Sequence, residues 1–122
     1  IMVKLYRKGF RAERDLLRIL STRGYSCARS ASSGSFLTPV DIVAIKQGKV
    51  LCFEIKSWKK KPRPKSKQLE RLLKWSENAG ALAFIGWYNK NTWSFLPVKN
   101  ALEREYEDEN WISLEEFLRI FV

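Results

Sequence analysis

An α/β fold, with one central mixed sheet of five strands flanked by helices, is predicted for this chain by the order in which two hydrophobic periods alternate. A helical period opens the sequence, three β-like runs follow, a second helical period comes next, and two more β-like runs precede a last short helix. Interleaved segments of both kinds suit a sheet with helices packed against it. At 122 residues, 45% of them hydrophobic, the chain has the material for one packed domain, 1–122, and too little for two ordinary ones.

The first helix is expected over 8–23, where Phe10, Leu17 and Leu20 recur on one face with Leu16 and Ile19 beside it and Gly24 supplies the stop. Glu13 falls inside that stripe, three after Phe10 and four before Leu17, where an unpaired carboxylate is costly. Two readings stay open for it: a rim acid paired with Arg11, Arg14 or Arg18, or a functional carboxylate. Tyr25 to Ser30 reads as a short strand, and Ala31 to Thr38, small and polar, as a mobile loop.

Val40 to Lys46 and Val50 to Ser57 are β-branched and apolar, joined through Gln47-Gly48-Lys49, so they predict a hairpin. With Gln47 and Gly48 as its two loop residues, Lys46 faces Lys49, and counting outward sets Asp41 opposite Glu54. Trp58 to Lys67 holds six basic residues and two prolines and reads as a surface segment. A second helix is expected from Ser66 to about Ala79, with Leu69, Leu72, Leu73 and Ala79 inward and Gly80 at its end. Ala81 to Tyr88 and Thr92 to Val98 pair across Asn89-Lys90-Asn91. The acidic stretch to Asn110 reads as a solvated link, and Ser113 with Glu116 as the capping box of a short helix to Val122.

The net charge of +10 is unevenly spread. Residues 1–100 carry 21 Lys or Arg against 6 acids, while seven acids crowd between Glu103 and Glu116. A field of that sign attracts a polyanion, and nucleic acid is the commonest. The sequence contains no run of about 18 apolar residues and no secretory leader, which predicts a cytoplasmic protein without a membrane partner. Cys27 and Cys52 are isolated in apolar text and there is no histidine, so zinc sites of the usual kinds and His-dependent nucleases, phosphatases and hydrolases are excluded. Catalysis, if any, falls to carboxylates, Lys, Ser or Tyr.

Glu54 and Lys56 are two apart on one strand and so share a face, opposite Leu51, Phe53 and Ile55. Asp41 across the hairpin adds a second carboxylate, the Cβ atoms of the two residues about 5 Å apart. Carboxylates that close repel, and one takes up a proton unless a cation sits between them. Hard oxygen ligands suit Mg²⁺ or Mn²⁺. Such an ion polarises a phosphoryl oxygen and lowers the pKa of bound water, while Lys56 orients that water or stabilises developing charge. The competing reading is an exposed cross-strand cluster of ion pairs.

Tyr6-Arg7-Lys8-Gly9, Ala12-Glu13-Arg14, Arg29-Ser30, Val40-Asp41-Ile42-Val43-Ala44 and Cys52-Phe53-Glu54-Ile55-Lys56 resemble, in order and spacing, the successive motifs of the archaeal Holliday junction resolvases. The likeness is close over residues 5–57 and looser beyond. Pro39 and Asp41 flank Val40 here, where related nucleases often have Pro directly before Asp, and the Ala31 to Thr38 loop is longer than in relatives. The resemblance implies a restriction-endonuclease-like fold, a homodimer, and paired Mg²⁺-dependent incisions in four-way junction DNA. It further implies that Asp41 and Glu54 ligate metal, that Glu13 completes the acidic cluster, and that Lys56 serves the attacking water. Arg14, Arg29 and Ser30 become candidates for phosphate contact or active-site support.

Arg7 and Lys8, with Lys59, Lys60 and Lys61 directly after the third strand, are candidates for holding the phosphate backbone. Trp58 packs under its loop or against sugar, with a structural role preferred. Leu72, Trp75, Trp93 and Phe95 make either one core or a dimer patch. Two rival functions remain: a nuclease of the same fold that cuts a flap or nicked duplex, and an architectural DNA-binding protein without the chemistry. Intact Glu13, Asp41, Glu54 and Lys56 argue against the second.

Overall fold

The computed structural model describes residues 2–30 and 38–122, with side chains from Phe10 onward. Helix α1 (Met2–Ser21) leads into strands β1 (Ser26–Arg29), β2 (Ile42–Lys46) and β3 (Lys49–Lys56). Helix α2 (Ser66–Ala79) follows, then strands β4 (Ala81–Asn89) and β5 (Thr92–Pro97). The chain ends in a five-residue helix α3 (Val98–Leu102), a 3-10 turn (Asp108–Asn110), strand β6 (Ile112–Ser113) and helix α4 (Leu114–Phe121). Of the loop expected over 31–38, residues 31–37 lie outside the described residues, and Thr38 is exposed with no regular structure.

The strands form one sheet in chain order, β1 to β6, with β3 and β4 parallel and every other pair antiparallel. The expected mixed sheet is therefore present with six strands rather than five. Ile112 and Ser113 pair with Phe95 and Ser94, a two-residue edge too short to carry a period. Two reversals set the register. Gln47 and Gly48 (φ 49° and 83°), and Lys90 and Asn91 (φ 52° and 60°), all have positive φ, as the type I′ hairpin turn requires. Lys46 pairs with Lys49 and Ile42 with Phe53, the register expected from the two-residue loop.

Each face of the sheet has its own core. On one, Ala12, Leu16 and Leu20 of α1 and Phe117 of α4 cover Ile42, Ala44, Leu51, Phe53, Phe84, Trp93 and Phe95. On the other, Leu69 and Leu72 of α2 and Val98 and Ala101 of α3 cover Val40, Cys52, Ile85 and Leu96. Leu72 and the pair Trp93 and Phe95 thus belong to opposite cores and form no common patch, while Trp75 is half-buried against the α2 side.

Helix α1 starts six residues earlier than expected, because nothing in 2–8 breaks it and Gly9, which weakens a helix interior by about 1 kcal/mol, is carried by its neighbours. Its buried stripe runs Ala12, Leu16, Leu20. Phe10 is instead 36% exposed, with the Arg14 and Arg29 guanidiniums over its ring at 5.6 and 5.1 Å. Helix α2 ends as expected on Gly80 in the left-handed conformation, and the Ser113 hydroxyl accepts the Glu116 N–H to cap α4. The acidic stretch is not a free link: Lys61 donates to the Tyr106 carbonyl at 2.9 Å and pairs with Asp108, and the Arg63 guanidinium lies 4.9 Å over the Tyr106 ring. Among the described residues no helix is long and apolar enough to cross a membrane.

Candidate active site

The β2–β3 hairpin places Asp41 one residue before β2 and Glu54 opposite it, both on the α2 side of the sheet. The Asp41 N–H donates to the Phe53 carbonyl at 2.9 Å, extending the ladder by one rung, and the Asp41 carbonyl accepts the Ser30 N–H at 3.0 Å. Ser30 is thereby fixed beside the aspartate through its backbone. Asp41 is 5% exposed and Glu54 3% exposed, which excludes the surface ion-pair reading.

Each carboxylate is aimed by a specific donor. Asp41 Oδ2 accepts the Ile55 N–H at 2.6 Å. Glu54 Oε1 accepts from Gln68 Nε2 at 2.6 Å and pairs with Lys56 Nζ at 3.1 Å. Glu54 Oε2 is buried and has no hydrogen-bond partner among the described residues. Gln68 escaped the sequence reading, although it sits four residues before Leu72 and so on the inward stripe of α2, where a polar residue calls for a partner.

Burial chiefly, then the Glu54 charge and more weakly that of Glu13, hold the Asp41 carboxyl up to about 8, against the Ile55 N–H and Lys56, which pull it down. Burial also raises Glu54, opposed chiefly by the charge and hydrogen bond of Lys56. The pair therefore retains a proton that a solvated pair would release. A raised folded value means that the unfolded chain releases its proton first, near its ordinary pKa of about 4. Stability from this source is complete below about pH 4 and is lost as pH rises toward 8. With no histidine in the chain, few other groups titrate in the upper part of that window. Urea denaturation in EDTA should show stability falling between pH 5 and 8 by up to about 1.4 kcal/mol per pH unit, and Asp41→Asn should flatten the slope. Equal slopes in the two proteins would show that Asp41 does not hold the proton.

Glu13 does not join the pair directly. Its Oε1 accepts from Arg29 Nε at 2.5 Å, so the partner is on β1 and not among the helix arginines. Its charge reaches Asp41, yet among the described residues no three carboxylates or thiols close on a common point. The expected three-carboxylate cluster is, in this arrangement, a pair with a third carboxylate held aside. The basic candidates also divide. Arg14, Lys59 and Lys60 are exposed, Lys61 is engaged by Asp108, Arg29 is engaged by Glu13, and the side chains of Arg7 and Lys8 lie outside the described residues.

Trp58 is 44% exposed and not the packed residue preferred from sequence; its ring centre lies 5.0 Å from Lys56 Nζ. Its carbonyl accepts from Trp87 Nε1 at 2.7 Å. Burial pushes the Cys52 thiol up to about 12, consistent with a core role, and both cysteines are free.

Residues 4–121 match the family model described as archaeal Holliday junction resolvase. The chain belongs to the archaeal Holliday junction resolvase family. Among curated relatives, the crossover junction endodeoxyribonuclease Hjc of Methanocaldococcus jannaschii is 38% identical over 81 residues. That alignment covers 66% of this chain and 58% of the relative's length. The crossover junction endodeoxyribonuclease Hje of Sulfolobus acidocaldarius is 29% identical over 116 residues, 90% of this chain and 84% of that one. The structure of Archaeoglobus fulgidus Hjc, a Holliday junction resolvase, superposes with a TM-score of 0.65 at 32% identity, covering 75% of this chain and 74% of that one. This resolvase family supplies the restriction-endonuclease-like fold that the mixed sheet displays.

Proposed function

We propose that this chain is a structure-specific endonuclease that resolves four-way DNA junctions by divalent-metal-assisted phosphodiester hydrolysis. The observation that carries the reading is the buried Asp41 and Glu54 pair with Lys56 beside it. Two oxygen-donor carboxylates, one with an orphaned buried oxygen and one retaining a proton, fit a hard cation better than they fit each other. Asp41 and Glu54 would hold Mg²⁺, with Mn²⁺ as a substitute; Mg²⁺ commonly takes one or two carboxylates and fills its shell with water and substrate phosphate, so Glu13 is not required as a ligand. When bound, the ion neutralises charge on the scissile phosphate and makes water a better nucleophile.

The chain's own groups do the rest. Gln68 and the Ile55 N–H fix the two carboxylates before substrate arrives. Lys56, 3.1 Å from Glu54, presents its ammonium where it can orient the attacking water or meet charge developing on the phosphoryl oxygens. Glu13, restrained by Arg29, adds negative charge behind Asp41 and raises the affinity for a cation. Lys59, Lys60 and Arg14 reach for the phosphate backbone, and we place the protein in the cytoplasm with its DNA substrate.

Resolution needs two incisions, and one such centre per chain supports a two-fold dimer with two centres at fixed separation. Labelled four-way junction, flap and plain duplex, each with and without Mg²⁺, test the reading. Paired cuts in the junction alone, only with the ion, are expected, from a protein that sediments as a dimer. Equal cutting of flap would favour the rival nuclease, and tight binding without cutting in Mg²⁺ or Mn²⁺ the architectural protein.

A further inference from the structure

Beside α1 lies a cleft of about 440 Å³ that the acidic site does not use, lined by Phe10, Arg11, Arg14, Asp15, Arg18 and Tyr88. We propose that Arg11, Arg14 and Arg18 form a track for the phosphate backbone of one arm of junction DNA, leading away from Asp41 and Glu54. The inference rests on the nuclease reading above and extends it to a surface that the family motifs do not include, Arg14 excepted.

Spacing of three and four residues sets the three arginines on one face of the helix, and all three are exposed. Arg11 to Arg18 is seven residues, about 10.5 Å of helix, long enough to meet more than one phosphate of a strand. Surface helices ordinarily neutralise such a row with acids one turn away, as Glu116 does for Arg119 on α4. On α1 the acid at that spacing is Asp15, and it is turned elsewhere: its Oδ2 accepts the Trp93 indole N–H at 2.7 Å. Among the described residues none of the three arginines stands in an ion pair within 4 Å. Three guanidiniums against one diverted carboxylate leave a net positive cleft that attracts an anion.

The cleft is linked to the reaction centre through side chains of α1 and β1. The Arg14 and Arg29 guanidiniums share the Phe10 ring, Arg29 holds Glu13, and the Glu13 charge reaches Asp41. A strand whose phosphate sits at Asp41 and Glu54 can thus continue past Phe10 onto the arginine row. Open geometry and polar walls suit a backbone passing through, rather than a base held inside.

The test is the salt dependence of four-way junction binding in EDTA, for wild type and for Arg11→Ala with Arg18→Ala; Arg14 is left alone. Removing one cation that neutralises a phosphate should reduce the slope of log K against log salt by about 0.9, so a reduction near 1.8 is expected for two, with affinity at low salt down about tenfold or more. Arg11→Gln with Arg18→Gln, which keeps length and helix propensity, should weaken binding as much, and Arg11→Lys with Arg18→Lys should keep the wild-type slope. Unchanged slopes in the neutral variants overturn the proposal, as does a reduced slope in the lysine pair. Wild type that binds and cuts the junction while the neutral variants keep its slope sinks this inference alone. Wild type that does not bind the junction sinks the nuclease reading with it.

Discussion

Asp41→Asn or Glu54→Gln should each slow junction cutting on the order of a thousandfold or more while leaving gel-shift affinity within a few-fold. Either change removes an anionic ligand from a two-carboxylate site, and the charge stabilisation at stake is several kcal/mol, with each 1.36 kcal/mol worth a factor of ten. The phosphate-contacting surface is untouched, because both residues are almost wholly buried. The same substitutions should raise the stability of the metal-free protein above pH 7, since each removes a charge from the buried pair whose burial and repulsion hold the Asp41 carboxyl up to about 8. Mg²⁺ or Mn²⁺ should raise the melting temperature of wild type at pH 8 and lose that effect in the variants. Function and stability thus move in opposite directions, which a variant that simply misfolds cannot do. Substantial cutting by both variants in Mg²⁺ would refute the site.

The pairing of Asp41 with Glu54 was legible in the sequence because a two-residue hairpin loop leaves no freedom in counting: Lys46 against Lys49 settles each rung outward. The position of Glu13 was legible only in part. Its helix has a broad apolar stripe, and choosing Phe10 over Ala12 as its upper member rotated the expected face; the small Ala12 carries little hydrophobic signal and yet is fully buried. The Arg29 partner comes from β1, across a distance in sequence that no helical spacing reports. Lys61 looked like its neighbours Lys59 and Lys60, and only the fold brings Asp108 to it. Strand β6 and helix α3 were missed because two and five residues are too few to express a period.

The other large effect is expected in the core that supports the site. Phe53→Ala should cost about 3–5 kcal/mol, a large part of the ordinary 5–15 kcal/mol of a domain this size. Phe53 is fully buried, and its ring meets those of Phe84, Phe95 and Phe117 at centroid distances of 6.0, 5.9 and 5.8 Å. Its carbonyl accepts the Asp41 N–H, and the next residue is Glu54, so the strand segment that the ring anchors also sets the separation of the two carboxylates. Phe117→Ala empties the same cluster from α4, an element separate from the β2–β3 hairpin, and should cost similar stability. Compared at a temperature where both variants remain folded by circular dichroism, Phe53→Ala should cut the junction more slowly than wild type and Phe117→Ala at nearly its rate. Equal losses in the two would mean that the core supports the site only by keeping the chain folded, and that the Phe53 ring does not act on the carboxylate pair through β3.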